Sequence, residues 1–284
     1  MVTIQCRNVK FSNVQAIIFD KDGTLEDSEA YLRNLGQKRS RIIDAQIPGV
    51  GDPLSMAFGI QGGTLDPTGL LAVASRRETE IAAAAYIAET GRGWLECLAI
   101  AHRAFEEADQ YIGTAPSPLF VGSLEVLKYL SESGLKLGIL SAASTERVKA
   151  FVARYELGDY IQLQMGVDQG PSKPDPTLFT QACQTLGVEP SNTLMVGDSA
   201  GDIEMARRAG AAGCIGIRWI SSDSPLAMKG RLVEHLQTAD IAIEQLDEIQ
   251  VLEPLSSLPI TDSHQQRGNP LYLKVDIPIR ISIY

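Results

Sequence analysis

Two aspartates stand two positions apart directly after a short apolar run. The segment IIFDKDGTLE, residues 17–26, places Asp20 and Asp22 on either side of Lys21. Side chains two positions apart on a continuing strand point to the same face, where two carboxylates repel each other. A tight turn built from Asp and Gly is the simple structural explanation. A bound cation, or a reaction that uses both carboxylates, is the functional explanation.

Further polar groups follow other strand-like segments. Ser141 follows LKLGIL, Lys173 follows IQLQMGVDQGPS, and Asp198 follows TLMVG with Asp202 four residues later. In an open parallel sheet, ligands bind at the carboxyl ends of the strands. Each residue alone has an ordinary interpretation, such as a helix N-cap for Ser141 or a solvated loop residue for Lys173. Together they predict one site that contains four carboxylates, a hydroxyl and an ammonium.

A divalent cation would explain why carboxylates are gathered there. Mg²⁺ prefers oxygen ligands, among them one or two protein carboxylates and phosphate oxygens, and its charge would offset the repulsion among Asp20, Asp22 and Asp198. A lysine, a serine hydroxyl and backbone N–H groups can hold phosphate oxygens. The residues therefore predict a Mg²⁺ cofactor and a small phosphorylated metabolite as substrate.

The apolar pattern predicts the elements that position these residues. A strand over 14–20 is followed by helical patterns alone until about residue 117, after which strands and helices alternate. Strands that are apolar on both faces and separated by helices indicate a parallel sheet covered on both sides. The predicted fold is α/β, a doubly wound parallel sheet formed by 13–26 and 118–250, with an all-helical cap inserted over 27–117.

Residues 1–12 and 251–284 are predicted to be terminal extensions. The tail segment PLYLKVDIPIRISIY alternates apolar and polar residues, which favours half-exposed strands that pair with the amino-terminal VTIQCRNVKF. A loosely ordered tail is the alternative.

Composition limits the partners. The chain has 284 residues and a formal net charge of −10, which opposes binding to nucleic acid or to an anionic membrane. No apolar run reaches the length of a membrane span or a signal peptide, so we expect a cytoplasmic protein. For the oligomeric state we expect a monomer or a homodimer. The cysteines lack the spacing of a zinc site and are interpreted as reduced core thiols; they are Cys6, Cys97, Cys183 and Cys214.

The segments FDKDGTL, LSAAS, SKPDP and MVGDSAGDIEMA resemble, in order and approximate spacing, the four signature motifs of the haloacid dehalogenase superfamily. The resemblance covers about residues 13–250 and is specific because all four motifs occur together. It implies a Rossmann-like core. The helical insertion just after the first motif is similar to that of the phosphoglycolate phosphatase-like branch.

The resemblance implies a role for each motif residue. Asp20 would attack phosphorus and form an aspartyl-phosphate, and Asp22 would protonate the leaving oxygen and later deprotonate the attacking water. Lys173 would shield the charge on Asp20 and on the phosphoryl group. The other implied ligands of phosphate are Ser141, the N–H of Ala142 and Thr24.

The implied Mg²⁺ ligands are Asp20, Asp198 and the backbone carbonyl of Asp22. Asp202 is expected to act through water or by steadying Lys173. Lys21 is expected to point away from the site as a structural residue, since side chains alternate along a strand.

One departure limits the prediction of substrate. Many phosphatases of this branch have asparagine where this chain has Ala142, and ASTERVK offers no obvious lysine for the phosphate. Phosphoglycolate is therefore only one candidate. Residues of the cap region choose the substrate in this interpretation, and the candidates are Glu26, Arg33, Arg76, Arg77, Arg92 and Trp94, although the arginines equally suit a solvated helix face.

The leading hypothesis is a Mg²⁺-dependent phosphatase, that is, a phosphoric monoester hydrolase. A phosphomutase that returns the phosphoryl group to a sugar uses the same chemistry. A catalytically idle binding or regulatory protein with the same fold is the third hypothesis.

Overall fold

The computed structural model describes residues 1–112, 117–219 and 236–252. In chain order its strands are β1 (Val2–Cys6), β2 (Val9–Val14), β3 (Ala16–Phe19), β4 (Ile60–Gln61), β5 (Thr64–Leu65), β6 (Lys136–Leu140), β7 (Ile161–Met165), β8 (Thr193–Gly197), β9 (Gly213–Ile217), β10 (Ile241–Ile243) and β11 (Ile249–Leu252). Its helices are α1 (Glu29–Gln46), α2 (Gly51–Ala57), α3 (Leu70–Val73), α4 (Arg76–Ala88), α5 (Trp94–Ile112), α6 (Ser123–Glu132), α7 (Thr145–Arg154), α8 (Pro176–Leu186) and α9 (Ala200–Arg208).

The central sheet has the strand order β10-β9-β8-β3-β6-β7, and its strands are parallel. Every residue of β3 is buried. Ile17 and Phe19 belong to one hydrophobic cluster, whereas Ala16 and Ile18 belong to another. Alternate side chains of β3 therefore pack on opposite faces of the sheet, each full burial contributing about 1.5–3 kcal/mol for a large apolar side chain. The predicted doubly wound α/β fold is confirmed.

A second sheet forms near the amino terminus. Strand β1 pairs antiparallel with both β2 and β11. The predicted amino-terminal strand is thus present, but its described partners are the next strand and residues 249–252. The predicted pairing with PLYLKVDIPIRISIY lies outside the described residues.

The insertion lies between β3 and β6 and contains α1 to α5. The prediction of helices alone was wrong in one place, because β4 and β5 form a short antiparallel hairpin. Gly62 and Gly63 have φ values of 56° and 84°, which glycine adopts without steric cost and which allow the tight turn. The domain boundaries at residues 27 and 117 remain predictions.

A capping motif separates α3 from α4. Ser75 lies between α3 and α4, and its side chain accepts a hydrogen bond from the N–H of Glu78. The Glu78 carboxylate in turn accepts one from the N–H of Ser75, at 2.8 Å. This reciprocal arrangement satisfies two free amides and starts a new helix at Arg76.

The chain enters and leaves the insertion side by side. The N–H of Asp27 donates to the carbonyl of Pro118 at 2.8 Å, and the N–H of Phe120 donates to that of Leu25 at 3.0 Å. The Phe120 ring also stacks on Trp219 of the core, with the ring centroids 4.2 Å apart. The two linkers are thereby fixed to each other directly after the Asp20 motif.

All four cysteines are free and buried. Burial raises the pKa of the Cys6 and Cys214 thiols to about 12 and that of Cys183 to about 11. These properties agree with unreactive core thiols. Among the described helices, none combines the length and apolar character needed to cross a bilayer.

Candidate active site

Three neighbouring strands of the central sheet end at the site. Strand β3 lies between β6 and β8 and pairs in parallel with both. The residues that follow these strands are Asp20, Ser141 and Asp198. Backbone hydrogen bonds hold the first two in place, since the N–H of Asp20 donates to Val196 at 2.9 Å and that of Ser141 to Met165 at 3.0 Å. The parallel topology therefore brings together groups that are far apart in sequence.

Three carboxylates form a close cluster. One oxygen from each of Asp20, Asp198 and Asp202 lies within 4.8 Å of the other two. Asp202 is held by a capping box at the start of α9, where its Oδ2 accepts from the hydroxyl of Ser199 at 2.6 Å. The hydroxyl of Thr24, which is fully buried, donates to Asp198 Oδ1 at 3.4 Å. Thr24 thus contacts a predicted metal ligand, and its predicted contact with phosphate remains a prediction.

Lys173 bridges two members of this cluster. Its Nζ lies 2.6 Å from Asp20 Oδ1 and 2.6 Å from Asp202 Oδ1, and its side chain is only 4% exposed. If Asp202 steadies Lys173, it must contact the ammonium, as it does here. A buried ammonium between two carboxylates has a well-defined position, since moving it would leave charges unpaired in a medium of low polarity.

Burial and neighbouring acids disfavour the ionised forms of Asp20 and Asp198. Burial raises the pKa of Asp20 to about 7, in opposition to Lys173 and with support from the charges of Asp202 and Asp22. Burial together with Asp20 and Asp202 raises the pKa of Asp198 well above its usual value. Among the described residues, Lys173 thus lies next to a cluster of three carboxylates. The set of oxygen donors fits a hard divalent cation, whose charge would keep these groups ionised.

Gly23 allows the close approach of Asp198. A Cβ at this position would lie 2.1 Å from Asp198 Oδ2, and the residue has a φ of +78°. Both observations require glycine, since the first excludes any side chain and the second strains other residues.

We expect Gly23→Ala to displace the Asp198 carboxylate and to lower both divalent-cation affinity and turnover at least about 10-fold, the equivalent of about 1.4 kcal/mol. The matched control is Gly210→Ala, because Gly210 also has a φ of +78° but has no atom within 4 Å of its Cβ position. The control isolates the backbone strain, which costs on the order of 1–3 kcal/mol in both variants. Equal turnover in the two variants would contradict the interpretation; steady-state kinetics and cation titrations measure it.

Lys21 was predicted to be a structural residue that points away from the site, and in the structure it is buried with its ammonium in contact with Asp22. Strand β3 ends at Phe19, so strand alternation does not extend through the following turn. The Lys21 ammonium lies 2.6 Å from Asp22 Oδ1 and 2.7 Å from Glu26 Oε2, with its side chain 3% exposed. The other oxygen of Asp22 accepts from the hydroxyl of Ser141 at 3.4 Å. Lys21 therefore contacts a predicted reacting group.

A cavity of about 110 Å³ adjoins these residues. It is bounded by groups of the core and by the insertion, and its volume suits a small ligand. The predicted site residues that line it are Asp20, Asp22, Ser141, Ala142, Lys173, Asp198 and Asp202. Beside the cavity, the hydroxyl of Ser172 donates to Glu78 of α4 at 2.6 Å, which joins the core to the insertion next to Lys173.

The residues predicted to choose the substrate differ in what their side chains contact. Arg76 lines the cavity, but its guanidinium is paired with acidic groups that include Glu106 and Asp109. Glu26 is buried against Lys21. The remaining candidates contact surface groups or solvent, with Arg33 paired to Glu29, Arg92 paired to Glu96, and Arg77 and Trp94 exposed.

The sequence predictions missed a buried arginine in the cavity wall. Arg39 of α1 donates from Nη2 to Asp109 Oδ1 at 3.0 Å, and its guanidinium lies 4.0 Å from the centroid of the Phe105 ring. Both Arg39 and Asp109 line the cavity. A signal was present in the sequence: Leu32, Leu35 and Arg39 are spaced by three and four residues, which places the arginine on the apolar face of the helix.

Arg147 was also missed. It lies in the first turn of α7 and lines the cavity, and its guanidinium is 4.6 Å from the centroid of the Tyr31 ring in α1. Although burial acts in the opposite direction, Lys21 and Arg147 lower the pKa of Asp22 below its usual value. Arg147 lies within ASTERVK, the segment in which no lysine was an obvious phosphate ligand.

We expect Arg147→Met to raise the KM for a phosphate ester about 10-fold while kcat stays within about 3-fold, since loss of a cation from the binding pocket weakens ground-state binding. Arg103→Met is the control, because Arg103 is exposed and lies outside the cavity wall. Steady-state kinetics with p-nitrophenyl phosphate measure both constants. An unchanged KM in Arg147→Met would show that this guanidinium does not contact the substrate.

Known proteins resemble this chain over most of its length. The family model described as haloacid dehalogenase-like hydrolase matches residues 14–210. The chain is 30% identical over 214 residues to a protein named "Probable phosphatase IndB" from Dickeya dadantii, covering 72% of this chain and 80% of the relative. It is 26% identical over 278 residues to phosphoglycolate phosphatase 1 from Pseudomonas aeruginosa, covering 91% and 90%.

A solved structure shows the same fold. The crystal structure of a predicted phosphoglycolate phosphatase from Haemophilus somnus superposes with a TM-score of 0.60 at 18% identity, covering 83% of this chain and 96% of that one. The predicted enzyme class, phosphoric monoester hydrolase, is confirmed. The chain therefore belongs to the haloacid dehalogenase-like hydrolase family.

Proposed function

We propose that this protein is a Mg²⁺-dependent phosphatase that hydrolyses a small organic phosphomonoester through an aspartyl-phosphate. The observation that carries the proposal is the cluster of Asp20, Asp198 and Asp202 within 4.8 Å, with Lys173 2.6 Å from Asp20. Three separate segments of the chain contribute to this arrangement, which supplies a nucleophile, cation ligands and a phosphate-binding cation in one place.

In the first half of the reaction, a carboxylate oxygen of Asp20 forms a bond to phosphorus and the bond from phosphorus to the leaving oxygen breaks. Asp22 gives its proton to that oxygen, so the alcohol leaves neutral. In the second half, a water oxygen forms a bond to phosphorus, the bond between Asp20 and phosphorus breaks, and Asp22 takes one proton from the water. The products are inorganic phosphate and regenerated Asp20.

Protein groups hold the phosphoryl group during both halves. Lys173 is placed to stabilise charge on Asp20 and on the phosphoryl oxygens, and Ser141 and Ala142 line the same cavity. Asp20, Asp198 and the Asp22 carbonyl would hold Mg²⁺, which would supply positive charge to stabilise the transferred oxygens. Loose phosphoryl-transfer transition states depend mainly on such positioning and charge.

The cavity wall limits the substrate. Its insertion side combines apolar residues with the Arg39–Asp109 pair, and its volume is about 110 Å³. These features support a small organic phosphate whose far end reaches a partly apolar wall. Phosphoglycolate, named for the Pseudomonas relative, is the first metabolite to test.

The test is release of inorganic phosphate from p-nitrophenyl phosphate and from a panel of metabolite phosphates. We expect turnover with Mg²⁺, loss of turnover in excess EDTA and recovery when Mg²⁺ is restored. Turnover that persists after complete removal of divalent cations would refute the metal dependence. Isomerisation of a sugar phosphate without phosphate release would indicate a phosphomutase instead.

Cation binding is expected to depend on pH. Because the pKa of Asp20 is raised to about 7, a proton competes with the cation below that pH, and apparent Mg²⁺ affinity should fall up to about 10-fold for each pH unit lost. The same shift contributes stability to the metal-free fold below the ordinary pKa near 3.8, and this contribution is lost as pH rises towards 7. Thermal denaturation with and without Mg²⁺ at pH 6 and pH 8 should therefore show the larger Mg²⁺-induced shift at pH 8. An equal shift at both values would contradict the prediction.

A further inference from the structure

A buried ion triad lies beside the reacting carboxylates. It consists of Asp22, Lys21 and Glu26, with the Lys21 ammonium 2.6 Å and 2.7 Å from oxygens of the two acids. The side chains of Lys21 and Glu26 are 3% and 8% exposed. The Lys21 ammonium is also 5.6 Å from the centroid of the Phe151 ring of α7. The reaction described above uses Asp22 but assigns nothing to Lys21 or Glu26.

Stability does not explain the triad by itself. Removing an ammonium and a carboxylate from water costs several kcal/mol for each ion, and a buried ion pair is often no more stabilising than apolar residues of similar volume. The triad instead fixes the positions of its three side chains relative to one another. The carbonyl of Lys21 accepts from the N–H groups of Leu25 and Glu26, both at 3.0 Å, so the turn that carries Lys21 also holds Glu26 next to it.

The triad determines how Asp22 is oriented. Asp22 Oδ1 is bound by Lys21, and Oδ2 lies 3.4 Å from the hydroxyl of Ser141. Asp22 itself lines the cavity together with Asp20. Glu26 is a second counter-ion for Lys21. The Lys21 ammonium is therefore held in place by Glu26 as well as by Asp22. This is the pattern of a reacting group oriented by a second residue that a third residue fixes in turn.

We propose that Lys21, anchored by Glu26, is the positioning residue for Asp22 and holds its carboxyl in the orientation that delivers the proton to the leaving oxygen. This inference rests on the acid role given to Asp22 in the proposed function. In that step the bond between Asp20 and phosphorus forms, the bond to the leaving oxygen breaks, and one proton moves from Asp22 to that oxygen. Lys21 keeps all of its protons.

Leaving groups of different basicity separate positioning from a general structural role. p-Nitrophenyl, phenyl and benzyl phosphate are similar in size, but their leaving oxygens need a proton to an increasing degree. The ratio kcat/KM reports steps up to the transfer to Asp20. We expect Lys21→Met to lower kcat/KM for benzyl phosphate at least about 30-fold and that for p-nitrophenyl phosphate by less than about 3-fold, because general acid catalysis contributes on the order of 10²–10⁴-fold.

Three further variants complete the experiment. Lys21→Arg keeps a cationic donor and should recover most of the benzyl phosphate activity. Lys21→Met/Glu26→Gln also removes the buried charge of Glu26 that Lys21→Met leaves unpaired, so it should fold even if Lys21→Met does not, and it should show the same selective loss. In an Asp22→Ala background, Lys21→Met should cause no further loss for any of the three esters.

A loss of equal size for all three phosphates, or a loss that adds to that of Asp22→Ala, would overturn the positioning role. If Asp22→Ala itself lowers kcat/KM equally for the three esters, the acid role of Asp22 fails and this inference fails with it. The nucleophilic role of Asp20 would still stand, because it is tested separately.

Discussion

Asp20→Asn is expected to reduce kcat for p-nitrophenyl phosphate by at least about 10⁴-fold, since loss of a covalent nucleophile removes nearly all of the chemical acceleration. An asparagine amide has almost the same shape as the carboxylate but no anionic oxygen to attack phosphorus. The fold should tolerate the change, because burial and neighbouring acids already raise the pKa of Asp20 to about 7. At pH 8 without metal, the variant should denature at the same temperature as the natural chain or at a higher one.

The control for this substitution is Asp52→Asn. Asp52 is exposed in the first turn of α2, outside the cavity wall, and its replacement should leave kcat within about 2-fold, as for most surface changes. Continuous release of p-nitrophenolate measures both variants, and scanning calorimetry measures their stability. Turnover in Asp20→Asn above about 1% of the natural rate would exclude Asp20 as the nucleophile.

Lys173→Met is expected to lower kcat/KM by about 10³-fold, because it removes the cation that lies 2.6 Å from Asp20 and that faces the charge of the transferred group. The same change leaves Asp20 and Asp202 buried without their counter-ion. Breaking a buried pair in this way costs about 3–5 kcal/mol of folding free energy. Activity and stability should therefore both fall.

A second variant separates the two losses. Lys173→Met/Asp202→Asn removes one of the uncompensated charges and should recover much of the stability, but it should not recover activity. Lys128→Met, at a side chain that is 55% exposed, is the control for the loss of a lysine. Recovery of activity together with stability in the double variant would show that Lys173 acts through the fold alone. Kinetics and chemical denaturation distinguish these outcomes.

Much of the site in the core was predictable from sequence, because its residues directly follow strands. Asp20, Ser141 and Asp198 each follow a short apolar strand, and a parallel sheet places such residues at one edge whatever the details of helix packing. The cluster of carboxylates then follows from topology. Asp202 was recognisable for a related reason, since a carboxylate four residues after Asp198 falls in the first turn of the next helix.

The insertion was less predictable. The contact between Arg39 and Asp109 joins residues that are 70 positions apart, and it depends on how α1 packs against α5 rather than on either helix alone. The hairpin β4–β5 depends on a turn of two glycines, a local signal that the helical patterns on both sides obscured. The contact between Lys21 and Asp22 was not foreseen, because it depends on the turn that follows the end of β3.

The hydrogen bonds between Asp27 and Pro118 and between Phe120 and Leu25 fix the two ends of the insertion to each other. An inserted segment with fixed, adjacent ends disturbs the order of the strands little, much as a long surface loop does. Its length and sequence can therefore diverge in evolution with little effect on how the strands register. Exchange of the insertion between relatives would therefore change which substrates can bind, while the catalytic residues of the core stay the same.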